Sequence, residues 1–279
     1  MGTIDYKKIA DERRAGWRDA TSGENRSFEK LLTGLYSENN HFIYELLQNA
    51  EDAEASFLTF ICQEERLLVL HDGRPFNEAD VWGICSVMEG TKQKEDAQKI
   101  GHFGVGFKSV FKYTDRPEIY SNEEAFAIEN ILLPVAIPRG DFPADCTYQL
   151  DGRTVFPFEG KENCTKFVLL FRDRAELSRS GIDPDDIPRK LQELEPEILL
   201  FLRHVRTLTW VDETTGAYGT YQNIPSKTET NTHTCEKRYI SAGEEELEAQ
   251  KYLVLEDRFD CDEMKNACVK VAFSIDRAI

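Results

Sequence analysis

No run in this sequence approaches the ~18 consecutive apolar residues that cross a membrane. The opening Met1-Gly2-Thr3-Ile4-Asp5-Tyr6 has no signal-peptide apolar core, and Tyr6 stands where a myristoylation signal needs Ser or Thr. A protein without membrane attachment is expected. Cysteine is sparse and unpatterned: the seven residues at 62, 85, 146, 164, 235, 261 and 268 form no C-x-x-C pair and no zinc-ligand spacing. That argues against a disulfide framework and for a reducing, cytoplasmic setting. Positive charge is also short. With 34 Lys and Arg against 51 Asp and Glu the formal net charge is -17, so broad attraction to nucleic acid or anionic membrane is not indicated. Internal repeats and low-complexity segments are absent.

What is present is a chain of 279 residues, 41% hydrophobic, enough to bury a substantial core. Its most informative stretch is Ile100-Gly101-His102-Phe103-Gly104-Val105-Gly106-Phe107-Lys108-Ser109-Val110-Phe111, where three glycines open into an apolar, helix-like run. Glycine lets a ligand approach the main chain, and the first turn of a helix offers unpaired N–H groups to an anion. Taken alone, such a loop is as readily a tight turn before a packed helix. Lys92, Lys94, Lys99, Lys108 and Lys112 surround it, the most basic stretch of an acidic chain.

Periodicity predicts helices over about 5–20, from Phe28 to Leu35, and most clearly over 41–53, where Phe42, Ile43, Leu46, Leu47, Ala50 and Ala53 mark one face. A hairpin is expected from Phe57 to Cys62 and Leu67 to His71, then a helix capped by Asn77 and passing Val81, Ile84 and Val87. The polar segment Glu89 to Lys99 reads as a loop able to act as a lid. Strands follow at 118–121, 125–128, 154–158 and 166–171, then a helix from Ile187 to Arg203 and a strand at 207–211. Later strands are expected at 252–255 and 269–273. The chain stops almost on the last of them, which suggests the front part of something longer.

On the 41–53 helix, Glu45, Asn49 and Asp52 fall at i, i+4 and i+7 and share one side opposite the apolar face. Glutamate can take a proton from water, while asparagine and aspartate offer hard oxygens to an ion such as Mg²⁺. An ordinary solvated helix face has the same look.

The order of motifs is more specific. Glu45 through Ala53, then His71-Asp72-Gly73-Arg74-Pro75-Phe76, then Glu89-Gly90-Thr91-Lys92, then the glycine loop, resembles the nucleotide-binding motifs of the GHKL ATPases. That superfamily includes gyrase-type topoisomerases, ninety-kilodalton heat-shock chaperones, histidine kinases and MutL proteins. The glycine motif looks most like the heat-shock chaperone version, and the surrounding text like the sacsin and no-vein type of ATP-binding domain and its prokaryotic relatives. The resemblance covers about residues 25–175.

The resemblance implies an α+β fold, a two-layer sandwich of mixed β-sheet with helices on one face. It implies an ATP-binding domain at 1–205, with an N-terminal helical extension at 1–24 and an ATP lid at 90–103, and a β-rich segment at 206–279 opening a following domain. Glu45 would be the general base, Asn49 the Mg²⁺ ligand and Asp52 its support. Gly101, His102, Phe103, Gly104, Val105, Gly106 and Phe107 would wrap the triphosphate, and Gly90, Thr91 and Lys92 would belong to the lid. Thr165 would help to fix the base, with Cys164 where the family has glycine. The family's adenine-binding aspartate has two counterparts here: alignment on Gly73 selects His71, and a shift of one residue selects Asp72. Asp72 is favoured, since a carboxylate accepts the amino proton. The activity implied is Mg²⁺-dependent ATP binding and slow hydrolysis driving a conformational cycle in a larger sacsin-like protein. Homodimerisation would use the N-terminal segment and lid, with a protein client unassigned and no transition-state Arg or Lys assignable in this chain. The alternative is an ATP-gated interaction module with little turnover, chaperone-like or in prokaryotic antiviral defence.

Overall fold

The computed structural model describes residues 4–21, 41–86, 106–142, 148–150, 153–156, 162–259 and 267–275. The expected helix from Phe28 to Leu35 lies outside them, as does the whole of the 90–103 segment. Helix α1 (Tyr6–Thr21) buries Tyr6, Ile9 and Ala10. Helix α2 (His41–Asp52) buries Phe42, Ile43, Leu46, Leu47 and Ala50, the apolar positions of its three- and four-residue repeat. Burial of each large side chain contributes on the order of 1.5–3 kcal/mol, so packing holds this short helix more than intrinsic propensity does.

Strands β1 (Phe57–Cys62) and β2 (Arg66–His71) form the expected hairpin, with Leu58 opposite His71 and Cys62 opposite Leu67. Helix α3 (Glu78–Ile84) begins with a capping box. The Asn77 side chain accepts from the Asp80 N–H, and the Asp80 carboxylate accepts from the Asn77 N–H. The apolar run after the glycine loop is a 3-10 helix, Gly106–Lys112. There follow β3 (Glu118–Ser121), β4 (Glu124–Glu129), β5 (Leu133–Ala136), the small β6–β7 ribbon (Tyr148–Leu150, Arg153–Phe156) and β8 (Thr165–Leu170). Helices α4 (Arg174–Arg179) and α5 (Ile187–Gln192) come next. The long helix expected from Ile187 to Arg203 breaks at Pro196, which lacks the N–H a continuing helix needs. Glu195 before it is extended, at φ -90° and ψ 127°, and the chain resumes as a 3-10 turn, Pro196–Leu200.

Strands β9 (Thr207–Asp212), β10 (Ala217–Pro225), β11 (Thr232–Ser241), β12 (Glu244–Phe259) and β13 (Ala267–Ser274) complete one eleven-stranded sheet in the order β13-β12-β11-β10-β9-β1-β2-β8-β3-β4-β5. It is mixed: β9 runs parallel to β1, with Phe57 opposite Thr207, and the other neighbours are antiparallel. The residues after 206, expected to open a following module, thus pair directly on β1. Leu208, Trp210 and Tyr221 share one core with Phe42, Leu46, Phe60, Phe107 and Phe167. That core lies under α1, α2, α3 and α5. A smaller cluster of Ile61, Leu70, Phe142 and Cys164 covers part of the other face. Among the described residues no helix is long and apolar enough to cross a membrane.

Candidate active site on helix α2

Helix α2 brings Glu45, Asn49 and Asp52 to one side because its apolar face is locked into the core. The Glu45 side chain is 21% exposed, and its Oε1 lies 3.2 Å from Nδ1 of His41, one turn earlier. Burial pushes the Glu45 carboxyl above the usual carboxylate range, and His41 partly offsets this. The sequence pattern assigns His41 no role, although its i, i+4 spacing from Glu45 is a signal that could have found it. One turn beyond Glu45, the Asn49 amide nitrogen is buried and has no partner among the described residues. A buried NH₂ left open in this way fits a residue that completes its bonding with an acceptor, while a cation would be held by the Asn49 Oδ1. Asp52 sits near Arg74. The guanidinium of Arg74 is held above its ordinary range first by its bond to Asp80, with Glu54 and Asp52 adding to the effect.

The loop after β2 is pinned to the end of this helix. A Cβ on Gly73 would fall 2.6 Å from the Ala53 carbonyl oxygen and 2.8 Å from the Ala53 Cβ, so glycine is needed for the close approach. The Arg74 N–H donates to that carbonyl at 2.7 Å, and Arg74 grips Asp80 with two bonds of 2.5 and 2.9 Å.

His71 and Asp72 diverge. His71 shares the helical face with Val69 of the main core; it is 1% exposed, with its ring 5.9 Å from that of Phe167. It stands opposite Thr165 in the β2–β8 ladder, and Thr165 Oγ1 is 2.8 Å from Ser121 Oγ. Burial pushes the imidazole down to about 4, so it is neutral at pH 7. Its Nδ1 accepts from the Gly73 N–H at 3.1 Å, which leaves the ring proton on Nε2. Asp72 turns away. Its Oδ1 accepts from the Ser56 and Phe57 N–H groups at 2.7 and 2.9 Å, and its Oδ2 from the Ser56 hydroxyl at 2.5 Å. The structure therefore groups Thr165 with His71 and not with the expected Asp72, because a shift of one residue at a strand end changes the face presented.

Of the glycine loop, Gly106 and Phe107 are described. Phe107 is buried with its ring 5.8 Å from Phe167, and the Ser109 hydroxyl donates to the Gly106 carbonyl at 2.7 Å. Gly90, Thr91, Lys92, Gly101, His102, Phe103, Gly104 and Val105 lie outside the described residues. Lys108 does not belong to a solvated basic cluster. It is 3% exposed, and its ammonium donates to the Ile84 and Ile131 carbonyls at 2.6 and 2.5 Å. Burial lowers its pKa to about 8.

A mixed sheet under one layer of helices, with Glu45, Asn49 and Gly106 on the helical side, fits the class to which the chain's similarities point: it is a relative of the GHKL ATPases. Within that class it is sacsin-like. Residues 27–130 match the Sacsin domain family model. Protein NO VEIN of Arabidopsis thaliana is 32% identical over 198 residues, 66% of this chain and 7% of that protein. Sacsin of Homo sapiens is 26% identical over 239 residues, 71% of this chain and 5% of that protein. Chaperone protein HtpG of Enterobacter sp. (strain 638) is 23% identical over 198 residues, 60% of this chain and 32% of that protein. The chain thus spans a small part of each relative's length.

Proposed function

We propose that this chain binds ATP with Mg²⁺ on the helical side of the sheet and hydrolyses it slowly. The observation that carries this reading is the half-buried Glu45 carboxylate, 3.2 Å from His41 Nδ1 and one turn from the open Asn49 amide. Glu45 accepts a proton from the attacking water, and partial burial strengthens it as a base. His41, with Nδ1 3.2 Å from Oε1, offsets part of the cost of holding the charge there. Asn49, through its Oδ1, would hold Mg²⁺ and Asp52 would support it; when bound, the ion would neutralise phosphate charge. The resemblance implies that the amides from Gly101 to Phe107 wrap the triphosphate. Thr165 and His71 face the base, and since the His71 proton is on Nε2, the ring offers a donor to a ring nitrogen of adenine. From the resemblance come a lid at 90–103 and dimerisation through the N-terminal segment. The similarity to a protein named as a chaperone favours a chaperone-like use of the cycle.

The test is phosphate release by the parent and by Glu45→Ala under saturating Mg²⁺-ATP, with affinity measured by calorimetry. The expected outcome is a fall in turnover of roughly 10²–10⁴-fold with affinity retained, as for loss of a general base. Parent turnover is expected to decline on the acid side through an apparent pKa above the usual carboxylate range, because Glu45 must be ionised to act. Equal phosphate release by both proteins overturns the hydrolase reading.

A further inference from the structure

Gly106, the last glycine of the loop, opens the 3-10 helix, and its carbonyl is held by Ser109. Its backbone does not explain why it is glycine. The described glycines with positive φ are Gly140, Gly181, Gly216 and Gly243, and Gly106 is not among them. Space explains it. A Cβ built on Gly106 falls inside the Glu45 side chain, and the three nearest atoms are its Oε2, Cδ and Oε1. No backbone atom is among them, so the obstacle to a side chain at 106 is the carboxylate of Glu45 itself. That carboxylate is therefore seated on the α-carbon of Gly106 by Oε2, while Oε1 faces His41.

We propose that Gly106 is the positioning residue of Glu45: by lacking a side chain it forms the seat that holds the carboxylate half-buried against the start of the 3-10 helix. This rests on the reading of Glu45 as the base, and it gives the glycine a duty separate from phosphate contact. It also couples the base to the loop, since any shift of Gly106 moves the surface on which the carboxylate rests. A methyl at 106 displaces the flexible end of one side chain and leaves the backbone alone, so the fold tolerates it while the base is pushed toward water.

The experiment uses the full chain as Gly106→Ala, Glu45→Asp, Glu45→Ala and the two doubles with Gly106→Ala. Thermal midpoint, Mg²⁺-ATP affinity, turnover against pH and the ¹³C-detected titration of Glu45 are measured. Gly106→Ala is expected to retain ATP affinity within about threefold and to lose about 10–100-fold in turnover, the scale of a base misplaced by roughly an ångström. Its Glu45 titration, and with it the acid limb of turnover, are expected to move down toward the ordinary carboxylate range. Glu45→Asp withdraws the carboxylate, so combining it with Gly106→Ala is expected to cost less than about twofold in further turnover. The proposal is overturned if Gly106→Ala leaves the Glu45 titration in place, or if it weakens ATP binding equally in the parent and in Glu45→Ala, since the glycine then serves phosphate or backbone. Should Gly106→Ala fail to fold, folding of Glu45→Ala/Gly106→Ala still supports the steric seat, and failure of both overturns it. Unchanged turnover in Glu45→Ala alone sinks the base assignment, while the titration still decides whether Gly106 seats the carboxylate.

Discussion

Asp72 accepts three hydrogen bonds from the Ser56 and Phe57 backbone and the Ser56 hydroxyl, which fasten the end of β2 to the start of β1. An asparagine there keeps one acceptor oxygen and turns an NH₂ toward the remaining donors. Asp72→Asn is therefore expected to lower unfolding free energy by about 1–3 kcal/mol, the cost of leaving partly buried donors unpaired. Urea denaturation measures that loss, and calorimetry is expected to find ATP affinity essentially unchanged. Loss of affinity with stability intact would return the base contact to Asp72. The text His71-Asp72-Gly73 leaves both alignments open, because a strand presents alternate residues to opposite faces and the motif has only Gly73 as an anchor. The pairing of His71 with Thr165 favours His71, and that pairing is long-range information. His41 is the converse case: its spacing from Glu45 is plain, but a single histidine on a helix face says little until the distance is known.

Helix α2 is the element on which the separate motifs converge, and Glu51 shows how. Glu51 is 4% exposed and accepts from the N–H groups of Arg203, His204 and Val205 at 2.6, 3.0 and 3.0 Å. It ties the last turn of α2 to the turn that feeds β9. Glu51→Gln presents a donor to a set of donors, so a loss of at least ~1–3 kcal/mol is expected in thermal denaturation. Hydrogen exchange of the Thr207 to Trp210 amides is expected to speed up with it, and unchanged protection of β9 would show that the tie does not hold the strand. Most elements on either side are legible in the sequence, since α2, β1, β2 and β3 follow hydrophobic period and cap signals that are local. Others are not. The break at Pro196 hides inside a convincing apolar repeat, β5 contains Pro134 and carries no strand signal of its own, and the 3-10 form of Gly106–Lys112 depends on the core above it.

At the scale of the whole molecule, the placement of β9 between β1 and β10 makes the last quarter of the chain a continuation of the sheet beside α2. Sequence alone points to a boundary near 206, because parallel pairing of β9 with β1 joins residues separated by about 150 positions and leaves no local mark. Trp210 lies on that strand, 1% exposed, in the same core as Leu46 and Phe107. A ligand bound to the folded state stabilises everything that unfolds with its site, by about 2.7 kcal/mol when present at one hundred times its dissociation constant. If ATP and Mg²⁺ bind beside α2, they raise the midpoint reported by the fluorescence of Trp210, isolated by Trp17→Phe and Trp82→Phe, together with that reported by far-ultraviolet circular dichroism. The two transitions are expected to coincide without ligand and to shift by the same amount with it. Asn49→Ala is expected to abolish the Mg²⁺-dependent part of the shift while leaving the transitions coincident, since its amide nitrogen has no partner among the described residues to lose. A Trp210 transition that ignores the nucleotide would instead uncouple β9 from the site, and the continuity of sheet and core would then have no counterpart in folding cooperativity.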